Sequence, residues 1–173
     1  MSPESVAALN AADPAAVAEE FRKCCGAEAW IRAMTARRPF AGAATIHAAA
    51  DECFDQLADA DWLEAFACHP KIGDMSSLRM KFAGNDRWSR GEQAGVDAAS
   101  EDVIQALAAG NEAYLARFGY IFIVCATGKN AAEMLAILAG RLQNDPNDEL
   151  PIAAAEQRKI THLRLDKLGS SPR

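Results

Sequence analysis

Nowhere in this 173-residue chain do apolar residues run on for the roughly 20 positions that a membrane-spanning helix needs. The opening stretch MSPESVAALNAADP lacks the basic region and apolar core of a signal peptide. The tail GSSPR matches neither a peroxisomal nor an endoplasmic-reticulum address. A cytoplasmic location and no membrane partner are expected. A basic patch is missing too: the formal net charge is -6, and Arg37 and Arg38 form an isolated pair. Nucleic acid is therefore not an expected partner, which leaves a small molecule or another protein.

Cysteine is present but unpatterned. Cys24, Cys25, Cys53, Cys68 and Cys125 contain no CxxC spacing, and only three histidines accompany them. An odd count without repeated spacing argues against a disulfide framework, and the set is too thin for a structural zinc site. Reduced, mostly buried thiols are the expectation. β-branched residues are sparse and Ala is abundant, which favours helices over strands.

What is there reads as helix after helix. Asp13 and Pro14 supply a cap and a first-turn proline for a helix to Cys25, closed at Gly26. Others are expected from Glu28 to about Arg37, Thr45 to about Leu57 and Asp61 to Ala67. Residues 69–88 hold Pro70 and two glycines without a sustained period, and read as a long irregular segment. Ser89 opens a short helix, and Ser100 caps a long one that Gly119 ends. YIFIVCATG is the one strand-like run, and it has no obvious partner strand. Asn130 caps a helix to about Gln143, NDPND reads as a turn, and a last helix runs from about Asp148 to Leu168. The fold class is all-α: one domain over residues 1–173, with about seven or eight helices of unequal length rather than a simple four-helix bundle.

His69 stands where an apolar helix runs into Pro70, in the stretch FACHPKIGD. Proline disfavours the helical region for the residue before it, so His69 is held by a stiff backbone. An imidazole there can take and give a proton near neutral pH, or can simply satisfy a helix-end carbonyl. Cys68 is not its partner, because neighbours in extended chain point to opposite sides. Cys68 is expected to pack at the end of a face made by Trp62, Leu63 and Phe66. His47 and His162 read as ordinary, solvated or half-buried residues.

SRGEQ fits a capping box, with Ser89 at the cap and Glu92 three residues on. The box does not account for Gln93, whose amide could join a polar ring-binding site at a helix N-terminus. On the last helix, Ile160 and Leu163 mark the side expected to be buried. Arg164 lies about 40° from Ile160 and so borders that stripe, either snorkelling or meeting an anion. The apolar segment Tyr120, Ile121, Phe122, Ile123 and Val124 must bond its backbone groups to something, whether within the protein or to a polar ligand.

In this order, RPF at 38–40, HPKIG at 69–73, SRGEQAG at 89–95, FGYIFIVCATGK at 118–129 and KITHLRL at 159–165 strongly resemble the OHCU decarboxylases. The resemblance covers residues 10 to 168. It implies an all-α homodimer without metal or organic cofactor, acting on 2-oxo-4-hydroxy-4-carboxy-5-ureidoimidazoline with loss of CO2 to give (S)-allantoin. It further implies His69 and Glu92 as catalytic groups, with Pro70 positioning the histidine and Ser89 and Gln93 binding the ring or ureido group. Tyr120, Ile121, Phe122, Ile123 and Val124 resemble the ligand-binding segment, and Arg164 the arginine that meets the substrate's charge. Arg38, Pro39 and Phe40 read as structural. An enzyme that oxidises urate and a hydroxyisourate hydrolase are the implied pathway neighbours. The competing readings are a non-catalytic helical ligand-binding or interaction module with the same fold, and a cyclic amidase or racemase acting on a related ureide.

Overall fold

Three helices begin the same way, with a capping side chain followed at once by proline. In the computed structural model, which describes residues 1–69, 78 and 93–169 (93–100 by backbone alone), Ser2 and Pro3 open α1, Pro3–Ala11. Asp13 and Pro14 open α2, Pro14–Cys24, and Asp145 and Pro146 open the last helix, Pro146–Lys167. Each cap oxygen accepts a backbone N–H of the first turn: Ser5 at 3.2 Å, Ala15 at 2.9 Å and Asn147 at 2.9 Å. Proline gives up no bond there, since first-turn amides have no partner within the helix.

This device adds one helix and corrects the start of another. The N-terminal helix α1 was not anticipated. NDPND is not a free-standing turn, because the last helix starts at Pro146 rather than Asp148 and runs on through Pro151.

Between these lie α3 (Glu28–Ala36), α4 (Ala43–Phe54), α5 (Asp59–Ala67), α6 (Gln93–Phe118) and α7 (Ala131–Arg141). The last helix is α8. The described residues are thus all-α, as expected. Ser100, predicted to cap a new helix, sits inside the continuous 26-residue α6 instead. A serine costs a helix interior only a few tenths of a kcal/mol, so the flanking helical sequence carries through it. Gly119 ends α6 with φ +80°, a conformation that favours glycine.

The chain divides into two compact units. One comprises Met1–His69, Ile123–Cys125 and the chain from Ile152 onward. Its core stacks Trp30 on Phe54 at 5.2 Å and Phe54 on Trp62 at 5.3 Å, with Phe21 edge-on to Trp30 at 5.8 Å. Such pairs add about 0.5–1.5 kcal/mol each beyond area burial. They fix α5 against α3 and α4, and with it the helix end that carries His69.

The RPF stretch acts as a clasp in this unit. The Arg38 guanidinium donates to the carbonyls of Thr35, Leu9 and Ala12 at 3.2, 3.2 and 2.8 Å, groups that helix ends leave without intrahelical partners. Asn10 and the Phe40 backbone exchange two hydrogen bonds of 2.8 Å. Helix α8 is held to α4 by two polar crossings. His47 and His162 stack at 4.8 Å with Nδ1 atoms 2.5 Å apart, and their Nε2 atoms face Asp166 and Asp51 at 2.9 Å. Arg158 reaches Asp55 at 2.6 Å while lying over the rings of Phe54 and Trp62.

The second unit comprises Pro70–Phe122 and Ala126–Pro151. Helices α6 and α7 pack closely at Gly110, where an added Cβ would fall 2.6 Å from Leu138 Cδ2. Its centre is a buried charge. Glu149 is fully buried and accepts from Arg141 Nε and Asn144 Nδ2, both at 2.6 Å, and from the Tyr114 hydroxyl. Burial and the Glu149 bond hold the Tyr114 phenol protonated, far above its ordinary range. Arg141 also lies over the Phe122 ring at 4.8 Å. Removing one member of such a buried pair leaves the other charge uncompensated, at a cost of about 3–5 kcal/mol. Glu149→Ala is therefore expected to lower unfolding stability by about that amount, while exposed Asp148→Ala changes it by less than about 0.5 kcal/mol. The urea midpoints of the two variants decide it.

Candidate functional site

Helix α8 presents a buried stripe that the sequence analysis misplaced. Ile160 and Leu163 were expected to mark it, yet Leu163 is 36% exposed. Past Glu149, the buried residues are Ala153, Ala154, Gln157, Thr161 and Leu165, with Leu168 just beyond the helix end, and they recur at spacings of three and four. Two of these are polar. Gln157 and Thr161 are both fully buried, and the Gln157 amide nitrogen lies 3.1 Å from Thr161 Oγ1. Reading the wheel from apolar residues alone passes over them. The readable signal was a Gln and a Thr four residues apart, in register with Leu165 and Leu168.

Gln157 is the residue the sequence analysis missed, and it touches the one it singled out. His69 follows the end of α5, its backbone N–H donating to Phe66 O at 3.1 Å. Its ring is half-buried, with Nε2 2.6 Å from Gln157 Oε1. Burial pushes the imidazole below its ordinary pKa; the Gln157 bond opposes this, and the positive charge of Arg164 adds to it. The imidazole is therefore neutral at neutral pH and carries a lone pair, as a general base requires.

Arg164 lies seven residues beyond Gln157, hence within about 20° of it on the helix surface. The expectation that Arg164 borders the inward face thus holds, although the residues used to argue it were the wrong ones. It donates from Nη1 to Cys24 O at 3.2 Å, capping the end of α2. That bond engages one of the five N–H groups of the guanidinium.

The segment after Gly119 is neither strand nor helix over residues 121–126. Ile123 is buried, while Tyr120, Ile121, Phe122 and Val124 are half-buried. Immediately beyond it, the Cys125 amide donates to the Glu156 carboxylate at 2.7 Å. Adjacent residues of α8 therefore hold two separate pieces of chain: Glu156 takes the Cys125 backbone, and Gln157 takes the His69 ring.

Pro70, Ser89 and Glu92 lie outside the described residues, and Gln93 is described only as the first backbone residue of α6. The catalytic role expected of Glu92 therefore falls outside this geometry. Cys68, expected to be packed, is exposed, its Sγ 3.8 Å from Gly26 O. Leu63, expected on the same face, is 43% exposed, because α5 buries Trp62, Ala65 and Phe66 instead. Cys24 and Cys25 are packed as expected, and burial pushes their thiols up to about 12 and about 11. Both stay protonated and are poor nucleophiles.

Comparison with known proteins places this arrangement among relatives. A family model described as OHCU decarboxylase matches residues 10–166. The uric acid degradation bifunctional protein TTL of Arabidopsis thaliana is 43% identical over 155 residues, which are 88% of this chain and 47% of that protein. The chain thus spans about half the length of that relative. The 2-oxo-4-hydroxy-4-carboxy-5-ureidoimidazoline decarboxylase of Amia calva is 34% identical over 137 residues, 78% of this chain and 77% of that one. A crystal structure of OHCU decarboxylase in the presence of (S)-allantoin superposes with a TM-score of 0.71 at 36% identity, covering 88% of this chain and 99% of that one.

The environment of His69 has a direct consequence in solution. Its imidazole is expected to titrate below the ordinary histidine value, and Arg164→Gln is expected to move the midpoint back up by removing a repelling positive charge. The sign carries into stability. The unfolded chain binds this proton more readily, so His69 favours the fold above the ordinary value and that contribution is lost as pH falls through the lower, folded one. An NMR titration of the histidine Cε1–H resonances reads the midpoint, and a His69 midpoint at or above the ordinary value contradicts the assignment.

Proposed function

Because this chain belongs to the OHCU decarboxylase family, we propose that it is a carboxy-lyase that converts 2-oxo-4-hydroxy-4-carboxy-5-ureidoimidazoline to (S)-allantoin in urate degradation. The observation that carries the reading is His69: a half-buried, neutral imidazole pinned by Gln157, with Arg164 on the same face of the same helix, all within the matched span.

The chemistry suits this small inventory. The carbon that loses its carboxylate also bears a hydroxyl and lies beside a ring C=N. When its bond to the carboxylate breaks, CO2 leaves and the electron pair spreads into that C=N. The substrate is its own electron sink, so the reading calls for no pyridoxal, thiamine or metal. What remains is to orient the carboxylate and deliver a proton to one face of the product carbon, tasks that positioning and general acid–base groups accelerate substantially.

His69 is the acid/base in this scheme. Glu92 shares the proton that passes through the free ring nitrogen, Pro70 stiffens the backbone of His69, and Ser89 and Gln93 bind the ring or ureido group. Arg164 meets the substrate carboxylate. Its guanidinium carries five N–H donors in a planar fork, so the bond to Cys24 leaves capacity for a second acceptor. The backbone from Tyr120 to Val124 borders the ligand. Residues 1–173 act as one such domain, paired with a second copy as a homodimer in the cytoplasm. A urate-oxidising enzyme and a hydroxyisourate hydrolase work upstream of it.

The test is to generate the unstable substrate in situ and follow chiral allantoin by circular dichroism, with CO2 release measured in parallel. Wild-type protein is expected to give the (S) signal together with CO2, and His69→Ala to lose about 100-fold or more in kcat. Chirality without CO2 release points instead to an amidase or racemase, and turnover near wild type in His69→Ala refutes the role given to that residue. Arg164→Gln is expected to raise KM by about tenfold or more, as loss of a charge-assisted bond does, while costing about 1 kcal/mol in folding through the Cys24 cap. Unchanged KM and kcat remove Arg164 from the site.

A further inference from the structure

The buried chain His69–Gln157–Thr161 contains enough hydrogen-bonding information to assign protons. A backbone carbonyl can only accept. Thr161 Oγ1 lies 3.0 Å from Gln157 O and 3.4 Å from Cys24 O, so its single hydroxyl proton goes to a carbonyl. The lone pairs of Oγ1 remain as acceptors. What faces Oγ1 at 3.1 Å from the Gln157 amide must then be the NH2 group. The other end of the amide, facing His69 at 2.6 Å, is therefore the carbonyl oxygen. An amide oxygen donates nothing, so the proton in that bond belongs to His69 Nε2.

We infer that Gln157 is a positioning residue that locks His69 in the Nε2–H form, so that Nδ1 is the ring nitrogen that exchanges a proton with the substrate. The amide is itself oriented by Thr161, which makes Thr161 the second member of the device. The groups facing the ring within this unit are consistent with the assignment. Burial of the ring opposes imidazolium formation, the acceptor on Gln157 works against this, and the positive charge of Arg164 adds to the effect of burial, so the base form persists. The last clause of the inference rests on the decarboxylase reading; the tautomer does not.

The tautomer is read without substrate, by 15N-edited long-range NMR of the histidine rings. Wild-type His69 is expected to show Nε2 at the shift of a protonated ring nitrogen and Nδ1 at that of a lone-pair nitrogen. Gln157→Leu is expected to give a mixture of tautomers and to lower kcat by about tenfold to a hundredfold, less than the loss at His69→Ala. Gln157→Glu keeps an acceptor, and so is expected to retain the Nε2–H form and restore kcat at high pH. Its acid limb moves up, since a carboxylate stabilises imidazolium. Thr161→Val, near-isosteric, leaves Gln157 in place but frees its amide to turn, and is expected to shift His69 toward the Nδ1–H form even if Gln157→Leu fails to fold.

A wild-type His69 protonated at Nδ1 overturns the inference, as does an unchanged tautomer in both Gln157→Leu and Thr161→Val. If the tautomer is as stated but no allantoin forms, the positioning geometry stands and the functional reading falls.

Discussion

A carboxamide buried in the apolar stripe of a helix has to be satisfied at both ends, and much of what surrounds Gln157 follows from that requirement. Leaving either end without a partner costs about 1–3 kcal/mol, comparable to the burial gain of a good core side chain. The NH2 end is met one turn along the same helix by Thr161, which in turn engages the carbonyls of Gln157 and Cys24. The oxygen end is met by His69, just past the end of α5 and 88 residues earlier in the chain. The fold thus needs a hydrogen-bond donor at that place, and His69 is the one that supplies it. It also needs α5 to end nearby, which the sequence favours by placing a proline directly after His69.

The two units each bury a polar network, and the contrast between them bears on function. Around Glu149 the donors Arg141, Asn144 and Tyr114 converge on one carboxylate, with charge balanced by charge. Such a closed cluster specifies packing and has little left to offer a ligand. The chain through Gln157 is neutral, and it ends on a group that titrates. A carboxylate at position 157 would stabilise imidazolium, as the aspartate of a catalytic triad does, and would place negative charge where the proposed substrate brings its own. An amide orients the ring without either effect. Burial is the main cause that keeps His69 neutral; Arg164, one heptad on, adds positive charge on the same face, which works in the same direction and favours an anionic ligand.

How far this was legible depends on whether the signal was local. Cap-and-proline pairs are local, and Asp13 with Pro14 announced α2 correctly. The same pattern at Ser2 with Pro3 and at Asp145 with Pro146 was equally readable and was passed over. His69 was found because the following proline makes its backbone unusual. Ser100 misled because a serine that suits a cap is also tolerated mid-helix, and only the flanking sequence decides. Gln157 and Thr161 were invisible to a search for apolar periodicity, since a polar residue earns a buried position only through partners distant in sequence. Cys68 and Leu63 were assigned to a buried face that α5 does not bury, an error of about 100° per residue on a short helix. The glutamate and serine of the capping-box motif fall on residues outside those described, so their part in the site rests on sequence and family alone.

Stereochemistry is the property that such an arrangement can impose and free solution cannot. A planar centre left after CO2 departs has two equivalent faces in water, and protonation from both gives a racemate. Selecting one face demands a donor that neither translates nor spins during the lifetime of that intermediate. A histidine on a mobile loop fails this, because rotation about χ1 and χ2 is fast compared with most turnover times. His69 is restrained at both ends: its backbone N–H is tied to Phe66 O at 3.1 Å, and its ring tip is held at Nε2 by a buried amide that cannot itself rotate without breaking its bond to Thr161. With Nε2 so committed, only Nδ1 is left to take up a proton, shared with Glu92 or drawn from the substrate hydroxyl, and then to return it to the carbon from one position and along one direction. In the proposed reaction, then, the hand of the product is set less by contacts to the substrate than by a neutral hydrogen-bond chain on the last helix, one that fixes which nitrogen of one imidazole is available.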